Sequence, residues 1–379
     1  MSNDRIGDFM IGRRRLLTLT AAGISAAAIG GFGTVRRARA ADTIRWVSPR
    51  GTIEVLDDYP YWVGKKFGYF GDIETTLEPG PSDATATVKL VDQNQADVGY
   101  PSPGVFSLAL AQGIPLVSVF HMGGSDVFDF AFRKGEAPKD LKALEGKTVV
   151  LGSAGWQSIA DPMLKAAGVD ITKVKYVDAG WPTWGTALAQ GKGDSALTWE
   201  GLRAQWKGQG LDFDYILGRN FSKLPANSFV IRKADFDDAA KKELYGRYFQ
   251  GWAAGLEFGQ HNPRAATQIV MEQFPGLASQ MTPPVATESM MQLANVFAGR
   301  MDERKKWGYH LPESWQLFFD IGREIGQITG DFKVEDVVKN DLIDVANSFD
   351  AAKVKADAEG FQLSEDYKTV DVEAIRAAL

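Results

Sequence analysis

The chain has no cysteine, which rules out a disulfide, a thiolate nucleophile and any cysteine-based metal site. Histidine is nearly absent as well. His121, His261 and His310 stand far apart without an HExxH spacing, so no histidine metal centre is expected. The strand-to-helix turn at Val149–Ser158 carries neither the GxxxxGK[ST] phosphate loop nor the GxGxxG dinucleotide turn. GGSDV (Gly123–Val127) and LGSAG (Leu151–Gly155) are not the GxSxG nucleophile elbow. Positive charge is in deficit: 42 Lys and Arg against 48 Asp and Glu give a net charge of −6. Nucleic acid is therefore not an expected partner, and no cofactor is expected.

The first forty residues read as an export segment. A charged start leads to Gly12-Arg13-Arg14-Arg15-Leu16-Leu17-Thr18, then a weakly apolar stretch to about Val35, then Ala38-Arg39-Ala40 ahead of Ala41. The arginine pair followed by two leucines resembles a twin-arginine signal, with Gly12 in place of the usual Ser or Thr and Thr18 in place of Lys. Cleavage is expected after about Ala40, with the mature protein in the periplasm. A membrane anchor is the alternative, but glycine and threonine dilute the stretch and no apolar run of about twenty residues follows. Loss of the segment removes seven Lys/Arg and two Asp/Glu, taking the net charge from −6 to −11. The remaining chain, about 340 residues, is more than a single core usually holds and points to two lobes.

From Thr43 onward, strand-like and helical patterns alternate. TIRWV runs into the turn Pro49–Gly51; Tyr59, Trp62, Val63 and Phe67 then fall at helical spacing before the stop at Gly68. IETTLEPG reads as a strand. Ser82 is placed to cap a helix to about Gln93, and ADVGYPSPG reads as a short buried strand. Ser102-Pro103 is a cap and first-turn pair, and IPLVSVFHM another buried strand. A second set of this kind begins after Asp129. QNQADVGYPSPG and QGKGDSALTWEG echo each other, each placing Asp before a short apolar strand. The alternation predicts an α/β protein with mostly parallel sheets. After SFVIRK the chain becomes helical, with core stripes at Tyr245, Tyr248, Phe249 and Trp252 and at Trp315, Phe318 and Phe319. Residues 351–379 read as a polar, loosely attached tail.

Several of these segments together resemble the periplasmic solute-binding proteins of ABC importers in the nitrate, sulfonate, taurine and thiamine-precursor group, the NMT1/THI5-like family. Lys66-Phe67-Gly68-Tyr69-Phe70 is similar to the family's Lys-x-Gly-Tyr-Phe helix ending, QADVGYPSPG to its Ala-Asp-ϕ-Gly strand end, and LEGKTVVLGSAG to its Leu-x-Gly-Lys segment. GKGDSALTWEG resembles its Gly-Lys-ϕ-Asp-Ala…Trp-Glu-Pro segment, with Gly201 where the family often has proline. The resemblance implies a type II periplasmic binding protein: two doubly wound lobes joined by two crossovers, with a ligand cleft between them. Lobe one would comprise 41–129 plus 229–350, and lobe two 130–228. It also implies a monomer that captures a small molecule by hinge closure and delivers it to an ABC permease driven by a cytoplasmic ATPase. The family's enzyme relatives, pyrimidine synthases that use a cysteine-rich iron motif and a pyridoxal phosphate lysine, do not fit a chain without cysteine. A receptor-docking sensor and an exported hydrolase are further alternatives.

Ligand contacts are expected where loops should face the cleft. Tyr59, Trp62, Tyr100, Trp156, Trp181 and Trp199 offer stacking surface, and Arg50 a bidentate partner for a carboxylate or sulfonate. Ser102, Ser153, Gln157 and Asn227 supply polar edges. Glu200 would accept from a ligand amine or pair with Arg203. Asp161-Pro162 is a second place where the helix after Ser153 could begin. The ligand expected is a flat organic molecule with an acidic or polar edge.

Overall fold

The computed structural model describes residues 42–81, 84–330 and 332–379. The export segment and Ser82, the expected cap, lie outside them. No helix among the described residues is long and apolar enough to cross a membrane.

Among the described residues ten strands form two sheets. β1 (Thr43–Val47), β2 (Glu74–Glu78), β3 (Val98–Gly99), β4 (Leu116–Phe120) and β10 (Phe229–Arg232) make the first, in the order β2-β1-β3-β10-β4. β5 (Phe128–Arg133), β6 (Thr148–Leu151), β7 (Lys175–Asp178), β8 (Ser195–Trp199) and β9 (Phe213–Leu217) make the second, in the order β7-β6-β8-β5-β9. β1 runs parallel to β2 and β3, and β6 parallel to β7 and β8. One strand in each sheet is reversed: β10 is antiparallel to β3 and β4, and β5 to β8 and β9. The sheets are thus mixed rather than mostly parallel, because in each the fourth position is filled by a strand arriving from the other sheet.

The sequence echo falls on topologically equivalent strands, β3 and β8. Asp97 takes the N–H of Arg45 at 2.8 Å, and Asp194 takes the N–H of Thr148 at 2.9 Å. In both cases a carboxylate just before the central strand satisfies an amide of the neighbouring parallel strand. β5 and β9 escape the sequence reading because acids interrupt their apolar pattern. Asp129 of β5 is fully buried and accepts the N–H of Gly218 at 2.9 Å.

Beneath the first sheet, Trp252 of the helix Ala239–His261 packs its ring 4.7 Å from Trp46 and 4.6 Å from Phe229, centroid to centroid. All three are buried, so burial of large aromatic surface holds this helix to the sheet. Residues 351–379 are not a loose tail. Val354, Ala358, Tyr367 and Val370 are buried, the first three in the same core as Trp252, and Asn262 donates to the Ala358 carbonyl at 2.8 Å. The charge of this segment is confined to its outer face. Tyr367→Ala is expected to lower the unfolding free energy by about 2–4 kcal/mol in urea denaturation. A loosely attached tail would leave it unchanged.

Candidate functional site

Loops at the carboxyl ends of strands from both sheets meet around a cavity of about 160 Å3. The first sheet contributes Pro49, Arg50 and Gly51 after β1, Tyr100 after β3, and Ser102 at the start of the helix Pro103–Ala111. The second contributes Gly152, Ser153 and Trp156 after β6, and Leu197, Thr198 and Trp199 from β8. The segments linking the sheets add Met122, Val127 and Asn227. Most of this surface is carbon.

Eight residues expected at a ligand line the cavity: Arg50, Tyr100, Ser102, Ser153, Trp156, Trp181, Trp199 and Asn227. Trp181 and Trp199 stack at 5.4 Å with planes 12° apart, and Trp156 stands edge-on to Trp199 at 5.7 Å. Trp184, fully buried behind them, stacks on Trp181 at 4.8 Å and fixes its own ring by donating to the Leu197 carbonyl at 3.0 Å. Trp181 is 43% exposed, a large apolar area for water to cover. One wall of the cavity is therefore a rigid aromatic surface with a partly free outer ring.

The opposite wall is charged, and its cation is already engaged. Arg50 Nη2 donates to both carboxylate oxygens of Asp58, at 2.5 and 2.6 Å, and Nη1 lies 3.6 Å from Asp57. Desolvation of the fully buried Asp58 pushes its carboxyl up to about 6, against the attraction of Arg50. The carboxylates of Asp58 and Asp57 raise Arg50 above its ordinary value despite its own burial. The guanidinium expected to meet an acidic ligand is thus engaged through Nη2, while its Nε is buried without a partner. Asn227 donates to the Tyr100 carbonyl at 3.4 Å, leaving its buried Oδ1 without a partner; Thr198 Oγ1 is likewise buried and unpartnered.

Four expected residues lie elsewhere. Tyr59 is wholly buried, its ring stacked against Phe297 at 6.1 Å, because the first helix turns it into the core. Trp62 packs edge-on to Phe274 at 5.0 Å. Gln157 is exposed and its amide donates to Asp161, one turn on, at 3.0 Å. Glu200 is fully buried between Arg203 at 2.8 Å and Arg219 at 3.2 Å, which leaves it facing protein cations rather than ligand.

The turn after β6 uses part of its donor capacity internally. The Ala154 N–H goes to Asp178 at 3.0 Å and the Trp156 N–H to the Ser153 carbonyl at 3.0 Å. Pro162 does not begin the following helix but lies inside Gln157–Ala166. Proline has no N–H to give the carbonyl four residues back, and the Ser158 carbonyl instead takes the Gln327 amide at 3.1 Å. Gly201 has φ +94°, which proline cannot adopt, and a Cβ there would lie 2.9 Å from Leu293. Its departure from the family pattern fits this close approach of the helix Pro283–Phe297.

Several lining residues had escaped the sequence reading. Asp57 is the first of an acidic pair beside the first helix, a signal that was available; Leu293 and Phe297 come from a helix distant in sequence, with no local signal. His121 and His310, far apart in the chain, stack at 5.5 Å, fully buried. Burial lowers both, His310 to about 3. Among the described residues no group of three or more His, Asp or Glu is placed to hold a metal ion.

The family model described as NMT1/THI5 like matches residues 57–266, more than half of the chain, and the chain belongs to that family. Solved structures show the same fold. The alkanesulfonate-binding protein SsuA from Xanthomonas axonopodis pv. citri, solved bound to MOPS, aligns with a TM-score of 0.61 at 11% identity over 79% of this chain and 100% of that one. The periplasmic nitrate-binding protein NrtA from Synechocystis PCC 6803 aligns with a TM-score of 0.61 at 13% identity over 89% and 97%. The periplasmic aliphatic sulphonate binding protein SsuA from Escherichia coli gives 0.57 at 12% over 79% and 93%. The fold is the α/β type II periplasmic binding protein fold. No curated protein matches the chain in sequence.

Asp126 ties the two linking segments together beside the cavity, accepting the Phe128 N–H at 3.1 Å and the Ser222 hydroxyl at 2.5 Å. Desolvation pushes it up to about 7 from an ordinary 3.8, against these hydrogen bonds. The unfolded chain therefore loses this proton first, and ionisation opposes folding. Relative to Asp126→Asn, the unsubstituted protein is expected to lose stability as pH rises from about 4 to about 7, by up to about 1.4 kcal/mol per pH unit, with no further change above. Urea unfolding of both proteins at acidic and neutral pH checks this.

Proposed function

We propose that this protein is the periplasmic solute-binding component of an ABC importer, capturing a small, flat organic solute between its two lobes and presenting the closed form to a membrane permease powered by a cytoplasmic ATPase. The observation that carries the reading is the cavity itself, walled by strand-end loops of both sheets, with tryptophans on one side and polar groups on the other. Family membership and structural relatives described as sulfonate-binding and nitrate-binding proteins support it. The solute is held without chemistry, by a monomer exported through the twin-arginine-like segment.

Closure would move 130–228 against 41–129 with 229–350, and 351–379 would travel with the latter. Contacts on both sides of the cavity support a closed state. The Gln205 amide meets Ser289 at 3.0 Å on one side, and Lys165 pairs with Glu324 at 2.6 Å on the other. Near the second pair, Gly104 approaches so closely that a Cβ would lie 2.4 Å from the Ser158 carbonyl oxygen. Opening breaks these few polar contacts while leaving each sheet whole.

Trp156→Ala and Trp199→Ala are each expected to weaken solute affinity by about tenfold or more in calorimetric titration. Retention of full affinity in both variants would overturn the stacking surface as the site. Gly104→Val places a side chain between the lobes; solution scattering is expected to show a larger radius of gyration and titration a weaker affinity. Unchanged values for both would count against closure along this contact.

A further inference from the structure

The relatives named above bind anions by their descriptions, yet the cavity here has the opposite polarity. Two charged residues line it, Arg50 and Asp57, and Asp58 stands directly behind Arg50. Asp58 holds Arg50 through both carboxylate oxygens, so one cation faces two acids. Asp57 is left with an ion pair at 3.6 Å, longer than a hydrogen bond, and its carboxylate takes no hydrogen bond from the described residues. Arg304 offers no compensation: it does not line the cavity and donates to the backbone carbonyls of His121, Phe297 and Tyr309. The unpartnered groups are of both kinds: Arg50 Nε is a buried donor, Thr198 Oγ1 a hydroxyl, and Asn227 Oδ1 an acceptor whose amide orientation is set by donation to the Tyr100 carbonyl. Across the cavity stand Trp156, Trp181 and Trp199, aromatic rings whose faces attract cations.

Taking this cavity as the solute site, as proposed above, we infer that its solute is an organic cation: a flat ring bearing an amine or amidine whose N–H groups bond Asp57 while the ring lies on the tryptophans. A carboxylate or sulfonate in the same place would meet Asp57 head-on and find Arg50 Nη2 already held by Asp58. A protonated amine supplies the missing donor, forms a charge-assisted hydrogen bond and brings the local charge to zero. The inference concerns solute charge, and capture itself does not depend on it.

Calorimetric titration of the full chain with matched ring compounds tests it: benzylamine against benzoate, tryptamine against indole-3-acetate, and indole and benzyl alcohol as uncharged controls. At neutral pH each amine is expected to bind at least about tenfold more tightly than its matched acid, and Asp57→Asn to remove that preference. The ranking in the unsubstituted protein stands on its own if the variant does not fold. Acids binding more tightly than amines, or uncharged rings equally tightly, would overturn the inference and leave capture standing. Retention of the preference in a folded Asp57→Asn protein would overturn the role of Asp57. Failure of every ring compound, whatever its charge, would overturn both this inference and the capture of flat aromatic solutes.

Discussion

Each sheet is completed by a strand whose predecessor in the chain belongs to the other sheet. β10 reaches its place between β3 and β4 only after the chain has built β9, and β5 enters between β8 and β9 directly from β4. Buried strands must pair their amides and carbonyls, so neither sheet closes its ladder without the chain crossing over. Two linking segments follow from this, and both run past the cavity. His121 and Ala226, one from each, are joined by an N–H to imidazole hydrogen bond at 3.2 Å, and Asp126 and Ser222 by another. The strand exchange sets the cavity between the two sheets, with both linking segments beside it.

Within that frame the two walls are prepared differently. The tryptophan wall is stiffened from behind: Trp184 is buried and hydrogen-bonded, and Trp199 continues β8, so little side-chain freedom is lost when a ring settles on it. The charged wall is held by the Arg50–Asp58 pair. Desolvation and the like charge of Asp57 oppose ionisation of Asp58, whereas the charge and hydrogen bonds of Arg50 favour it. Such a pair is better understood as fixing the position of Arg50, and through it the loop after β1, than as a source of stability.

The elements with clear periodicity and caps were legible in the sequence. Ser102 caps the helix Pro103–Ala111 through the Val105 N–H, and Gly68 ends the first helix in the left-handed region, as their residue types suggest. What failed did so for physical reasons. β5 and β9 carry acids whose partners lie just past the end of the neighbouring strand: Asp129 takes the Gly218 N–H and Asp214 the Gly135 N–H. The segment 351–379 shows its charge in sequence and its buried Val354 and Tyr367 only in packing. In the site, loop aromatics and Asn227 reached the cavity, whereas Tyr59 turned inward to Phe297, distant in the chain, and Glu200 took its alternative partner Arg203, three residues on, together with Arg219. The engagement of Arg50 Nη2 depended on an acid, Asp58, that only the fold brings into contact with it.

The central claim is that both lobes hold one solute at once, unchanged, in the cavity between Arg50 and the tryptophans. The most direct measurement is a crystal structure of the protein with the small molecule that most raises its melting temperature. The account predicts density for the intact molecule in contact with Trp199 of one lobe and the Arg50–Asp57 wall of the other. Density confined to one lobe, or for a chemically altered molecule, would contradict it.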